Sequence, residues 1–212
     1  MGWLLISKEF FRGDKMSQYL LMVICWGTFF IVWLIGAIYN HYKIKVISRQ
    51  SNYNYIKILL LTIFLIWFIG RYIPNNYWKL LSYSGKWLKV TGSLLLICST
   101  IFTIWSRLVL GRMWSSDAVI KEGHKLHIEG PYSITRHPIY TGMLGMLLGS
   151  MLMKGFNLAV IAYFIGALLL LKFKIKSEEK ILIETFGEEY QNFKRTIPQL
   201  FPTLKSLKNM II

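Results

Sequence analysis

The chain has 212 residues, 54% hydrophobic and 17% charged, with 25 Lys and Arg against 10 Asp and Glu. Soluble domains carry about 25% charged residues, and the mean hydropathy here is +0.44. These values exclude a disordered chain, a disulfide scaffold and an ordinary soluble enzyme, and they point to a one-domain membrane protein. No Asp or Glu lies between Lys15 and Ser116. Carboxylates are costly in lipid and cannot neutralise lipid phosphates, so this gap suits a membrane-embedded half. The cations are spread over short loops, with no aromatic-interleaved basic cluster. Membrane lipids are therefore the expected partner, not nucleic acid. Cys25 and Cys98 both sit inside apolar runs and read as small hydrophobes.

Five apolar runs follow in chain order: residues 19–39, 58–70, 90–106, 138–153 and 155–171. The first is long enough to span a bilayer and too long for a signal-peptide core. The second, between Lys57 and Arg71, spans only if those side chains snorkel; otherwise it is re-entrant. Only Lys154-Gly155 separates the last two runs, which predicts a tight helical hairpin. Gly142, Gly145 and Gly149 line one side of the fourth run, as close helix packing requires. The expected fold is an all-α integral membrane protein with about five transmembrane helices and a cytoplasmic C-terminal helix. With five spans, 17 cations fall on one side and 8 on the other. The positive-inside rule then puts the N-terminus outside and the C-terminus in the cytoplasm, with the cell membrane as the expected location.

Polar residues concentrate after the third run. The chain is therefore expected to divide into an N-terminal membrane half, residues 1–106, and a catalytic half, residues 107–212. The second comprises a cytoplasmic loop, the hairpin 138–171 and a tail. Ser177 is the expected N-cap of the tail helix, with Glu178 and Glu179 in its first turn. Leu182, Phe186, Tyr190 and Phe193 share a face at helical spacing, and Gly187 is expected to bend or interrupt that helix.

The informative string runs from His124 through Lys125, Leu126, His127, Gly130, Pro131 and Tyr132 to Arg136, His137, Pro138, Ile139, Tyr140 and Gly142. Gly130-Pro131 marks a turn. Pro138 stands where a helix begins, because the first turn has no use for its missing N–H. Arg136 and His137 then sit just before a helix N-terminus, which suits an anionic group; they read equally as interfacial residues at headgroup level. Glu178 and Glu179 read as helix-start acids or as a site for hydroxyl or ammonium groups. His124 and His127 lack Cys partners, a His-Glu-x-x-His string or a second ligand set, so no metal is expected. No glycine-rich nucleotide loop is present.

Arg-His-Pro-x-Tyr after Gly-Pro-Tyr, with His-x-Leu upstream and Glu178-Glu179 and Phe186-Gly187-Glu-Glu-Tyr190 downstream, resembles the isoprenylcysteine carboxyl methyltransferase family. Phospholipid N-methyltransferases share its superfamily. The resemblance covers roughly residues 107–202. It implies a membrane enzyme using S-adenosylmethionine as cofactor. His124, Lys125, Leu126, His127, Tyr132, His137, Pro138, Ile139, Tyr140, Glu178 and Glu179 would line the cofactor. The family's acceptor-binding Arg falls on Lys174, which keeps the charge without the planar fork. Eukaryotic members commonly carry Gln where this chain has Asp117.

Arg136 and Lys174 are the expected acceptor-positioning residues. The acceptor would be lipophilic or small: a carboxylate such as prenylcysteine, an amine, a thiol or a phenol. Two rivals stand beside this reading. Sterol reductases, which use NADPH, are similar around Arg-His-Pro-x-Tyr. A non-catalytic membrane protein would carry more polar residues in mid-span than Thr28, Thr62, Ser99 and Thr100.

Overall fold

The computed structural model describes residues 2–41, 46–50, 83–114, 118–121, 123, 125–155 and 157–208. Six helices are described: α1 (Gly2–His41), α2 (Lys86–Leu110), α3 (Pro138–Lys154), α4 (Leu158–Phe186), α5 (Glu188–Thr196) and α6 (Leu204–Lys208). Four of the five apolar runs lie largely within α1 to α4; the second, residues 58–70, lies outside the described residues. Met16–Tyr39 and Lys86–Met113 are long and apolar enough to cross a membrane. α1 leaves Leu20, Ile24, Ile31, Leu34 and Ile35 exposed along its length. Such a continuous apolar surface belongs in lipid, not in water.

The expected all-α fold holds for most of the described chain, with one departure. β1 (Val46–Gln50) and β2 (Ala118–Lys121) pair antiparallel, with a register irregularity between Val46 and Ser48. Both strands are rich in β-branched residues, which fit a pleated ribbon.

The tail also differs from expectation. No helix starts at Ser177, because α4 runs unbroken from Leu158 to Phe186. The segment 172–177 holds no Gly or Pro, so the helix simply continues past the apolar run. The break comes at Gly187, whose φ of 52° suits a residue without a Cβ. Its N–H closes α4 by donating to Ile183 O at 2.9 Å. The boundary expected at residue 106 falls inside α2. The two halves share one core, in which Cys25 and Phe29 of α1, Leu96 of α2, and Met146 and Met153 of α3 form one buried cluster.

α2 and α3 pack antiparallel through the glycine stripe. A Cβ on Gly149 would lie 2.7 Å from Leu96 N and 2.8 Å from Gly92 O. One on Gly142 would strike Thr103 Oγ1, and one on Gly145 would strike Ser99 Oγ. The seam is therefore backbone against backbone, the close approach that small residues permit in membranes. Gly149→Ala is expected to lower stability by about 1–3 kcal/mol through overpacking. Gly27→Ala, whose Cβ would meet nothing within 4 Å, is expected to leave stability unchanged or slightly raised. Thermal unfolding in one detergent compares the two.

Candidate active site

Pro138 opens α3 at its first position, and His137 is its N-cap residue. Upstream, Gly130 at φ 58° turns the chain into a 3-10 turn, Gly130–Ser133. That turn buries Tyr132, whose hydroxyl donates to Ser106 O at 3.4 Å. The C-terminal segment then returns to the start of α3. Arg136 N donates to Pro198 O at 2.9 Å, and His137 N donates to Gln199 O at 3.2 Å. Thr141 Oγ1 donates to Leu200 O at 2.6 Å.

Arg136 fastens this closure. Its Nε and Nη2 donate to Glu179 Oε1 at 3.1 and 2.9 Å. Nη1 donates to Lys194 O at 3.0 Å and also to Ile197 O. Gln199 Nε2 donates to the same Glu179 oxygen at 3.2 Å, and Lys194 Nζ lies 3.4 Å from Oε2. Both members of the pair are buried, with 9% exposure for Arg136 and 6% for Glu179. Burial opposes ionisation of Glu179. Contacts from His137, Arg136 and Gln199, with the Arg136 charge, outweigh it and hold the carboxyl well below the usual carboxylate range.

Glu178, one residue earlier, faces elsewhere. Tyr140 Oη donates to its Oε1 at 2.5 Å, and Lys174 Nζ lies 3.5 Å from that oxygen. His137 sits between the two acids. Its Nδ1 is 3.6 Å from Glu178 Oε2, and its Nε2 is 3.4 Å from Glu179 Oε1. Nε2 is buried and makes no hydrogen bond. The imidazole stacks on Tyr140, with ring centroids 5.8 Å apart. Tyr132 and Tyr190 are both pushed above the usual phenol range, first by burial and then by the neighbouring Glu178 and Glu179 charges respectively. Both phenols therefore stay neutral at physiological pH.

Lys125, Leu126, His127, Tyr132, Arg136, His137, Pro138, Ile139, Tyr140 and Glu178 all line one cavity, which holds about 860 Å³ of empty space including its open mouth. Two expected cofactor residues are not among them. His124 lies outside the described residues, as does Asp117. Glu179 does not line the cavity; it is turned into the ion-pair cluster behind it. Arg136 also departs from expectation. It touches the cavity, yet its guanidinium is committed to Glu179 and two tail carbonyls, so it is not free to grip an acceptor. The cavity adds residues the sequence did not single out for it: Leu110 at the end of α2, Met113 and Trp114 just after it, and Ile181, Leu182, Tyr190 and Phe193 from α4 and α5. The helical spacing of Leu182, Tyr190 and Phe193 was a visible sign of that wall.

A second cavity, of about 1250 Å³, adjoins the first through Trp114, Ile139 and Tyr140. It is walled by Trp26 and Trp33 of α1 and by apolar residues of α3 and α4, and among the described lining residues Lys174 is the one cation. Among the described residues, no group of three or more His, Cys, Asp or Glu could hold a metal ion.

The isoprenylcysteine carboxyl methyltransferase family description matches residues 92–184, which carry α3, most of α2 and α4, and both acids of the site. Those 93 residues are a little under half of the chain. The human protein-S-isoprenylcysteine O-methyltransferase is 26% identical over 138 residues, 64% of this chain and 48% of that protein. Protein-S-isoprenylcysteine O-methyltransferase B of Arabidopsis thaliana is 29% identical over 118 residues, covering 55% of this chain and 60% of the other. Methanethiol S-methyltransferase 1 of Bradyrhizobium diazoefficiens is 26% identical over 174 residues, 77% of this chain and 57% of its own. This chain thus spans about half the length of the curated relatives it matches. The fold is similar to the solved eukaryotic intramembrane Ras methyltransferase ICMT, with a TM-score of 0.52 at 20% identity, over 74% of this chain and 55% of that one.

The geometry makes Glu179 a fastening residue. Glu179→Ala leaves the Arg136 charge buried and unpaired, and is expected to cost about 3–5 kcal/mol. Glu184→Ala, exposed on the same helix, is expected to change stability by no more than about 0.5 kcal/mol. Because the folded-state pKa of Glu179 is depressed, its contribution is present above its unfolded value, about 4.3, and fades as pH falls below that value toward the folded one. Denaturation of Glu179→Gln should accordingly show a flatter acid limb than the wild type.

Proposed function

We propose that this chain is an integral membrane methyltransferase that uses S-adenosylmethionine and acts on a lipophilic or small acceptor. The observation that carries this reading is the meeting of two unlike cavities at Trp114, Ile139 and Tyr140. One is polar-rimmed and the other is walled by membrane helices. A two-substrate reaction needs such a meeting point, because holding both reactants in line supplies much of the rate.

The first cavity fits the donor by its chemistry. The Glu178 carboxylate suits an ammonium or ribose hydroxyls. Leu182, Phe193 and Tyr132 provide an apolar and aromatic wall for a flat base. Lys125, Leu126 and His127 line the cavity outside any described helix or strand. S-adenosylmethionine supplies, when bound, an electrophilic methyl group on a sulfonium. The residues around it bind, orient and exclude water, and the chemistry assigned here requires no metal. Buried walls strengthen an acceptor nucleophile by removing its hydration.

Lys174 is assigned to the acceptor. It sits where the second cavity meets Glu178, and its ammonium suits an anionic acceptor such as a carboxylate or thiolate. We assign Arg136 and Glu179 to positioning, acting through the tail. The charge bias supports a cytoplasmic position for the two cavities, with the donor entering from water and a lipophilic acceptor from the bilayer.

Purified protein is expected to bind S-adenosylmethionine saturably and NADPH not at all, as calorimetry would record. Glu178→Ala combined with His137→Ala is expected to weaken that binding by about tenfold or more; undiminished binding would refute the site. Lys174→Met is expected to leave donor affinity within about threefold while cutting transfer of labelled methyl into lipid extracts by about tenfold.

A further inference from the structure

A third cavity lies far from the candidate active site. It is lined by Ser17, Gln18 and Leu21 of α1, by Ser84 and Gly85, and by Lys86, Lys89, Val90, Ser93 and Leu94 of α2. No carboxylate is among its described lining residues. Two lysines, three serines and a glutamine form its polar part, beside three aliphatic side chains.

Its height in the membrane follows from helix geometry. From Ser17 to Tyr39 along α1 is about 33 Å, and from Lys86 to Leu110 along α2 is about 36 Å. Tyr39 and Leu110 mark the end nearer the active site. There, Arg112 Nη2 donates to Tyr39 Oη at 2.9 Å, and Leu110 lines the donor cavity. A hydrocarbon core is about 30 Å thick. The third cavity therefore stands at the interface on the opposite face. Tyr83 and Trp87, 67% and 82% exposed beside it, have the amphipathic rings that settle at headgroup level. The α3–α4 turn reaches the same face, where a Cβ on Gly155 would lie 3.3 Å from Ser84 Cβ.

We propose that this cavity binds the headgroup of an anionic phospholipid, on the membrane face opposite the donor cavity. Lys86 and Lys89 pair with the phosphate, the serine and glutamine side chains hydrogen-bond the headgroup, and Leu21, Val90 and Leu94 lie against the first acyl carbons. A bound lipid would wedge between α1 and α2 and hold the two spans together. The inference rests on reading α1 and α2 as membrane spans; it does not depend on methyl transfer.

The test is native mass spectrometry of the full chain in detergent, titrated with phosphatidylglycerol or phosphatidylcholine. The wild type is expected to retain phosphatidylglycerol in preference to phosphatidylcholine. Lys86→Gln combined with Lys89→Gln is expected to lose about tenfold or more in that affinity, and Lys86→Arg with Lys89→Arg to restore it. S-adenosylmethionine binding should be unaltered in all of them, which reports an intact fold. Should the double glutamine variant not fold, Lys86→Glu, at an exposed position, is expected to weaken phosphatidylglycerol retention on its own. Equal retention of the two lipids, or unchanged phosphatidylglycerol affinity in the glutamine or glutamate variants, would overturn the proposal. Displacement of phosphatidylglycerol by equimolar glycerol phosphate would assign the cavity to a soluble phosphate instead, and overturn it too.

Discussion

The architecture of the site depends on one buried ion pair. Arg136 precedes α3 and Glu179 lies near the end of α4, and neither charge would survive burial alone. Joined, they bring the loop before α3, the end of α4 and the C-terminal segment to one place. The remaining donors of Arg136 reach the carbonyls of Lys194 and Ile197, so the tail cannot leave without stranding a cation. Tyr190 and Phe193 are carried in by the same closure. They pack with Ile197 and Leu182 into the cluster that backs the first cavity.

The two adjacent glutamates divide the work by helix geometry. Neighbouring residues on a helix point about 100° apart, so one faces the fastening cluster and the other the cavity. Glu179 is surrounded by cations and amide donors, whereas Glu178 meets Tyr140 and Lys174 at the cavity edge. His137 lies between the two. Beneath them the glycine seam of α2 and α3 fixes the floor, since backbones in contact leave little room to shift.

What could be read from residue order was local. Pro138 as a helix start, Gly187 as a helix break and the glycine stripe each follow from a short-range rule, whereas the lining residues between Lys125 and Tyr140 followed from the family resemblance. The misreadings arose where a partner lies far along the chain. Arg136 looks like an anion site until Glu179, 43 residues later, and the tail carbonyls are brought to it. Ser177 looks like a cap because it precedes two acids, yet nothing before it stops the helix. Trp114 carries no motif, and its place between two cavities comes from packing alone. The β1–β2 pairing joins segments about 70 residues apart, a separation that no local pattern reveals.

The central claim is that the loop and the tail close around one small molecule. Photolabelling of the purified protein with 8-azido-S-adenosylmethionine, followed by peptide mapping, tests it most directly. The account predicts labels confined to residues 110–140 and 178–193, abolished by excess unmodified cofactor. Labels mapping instead to the membrane face of α1, or labels that excess cofactor does not remove, would contradict it.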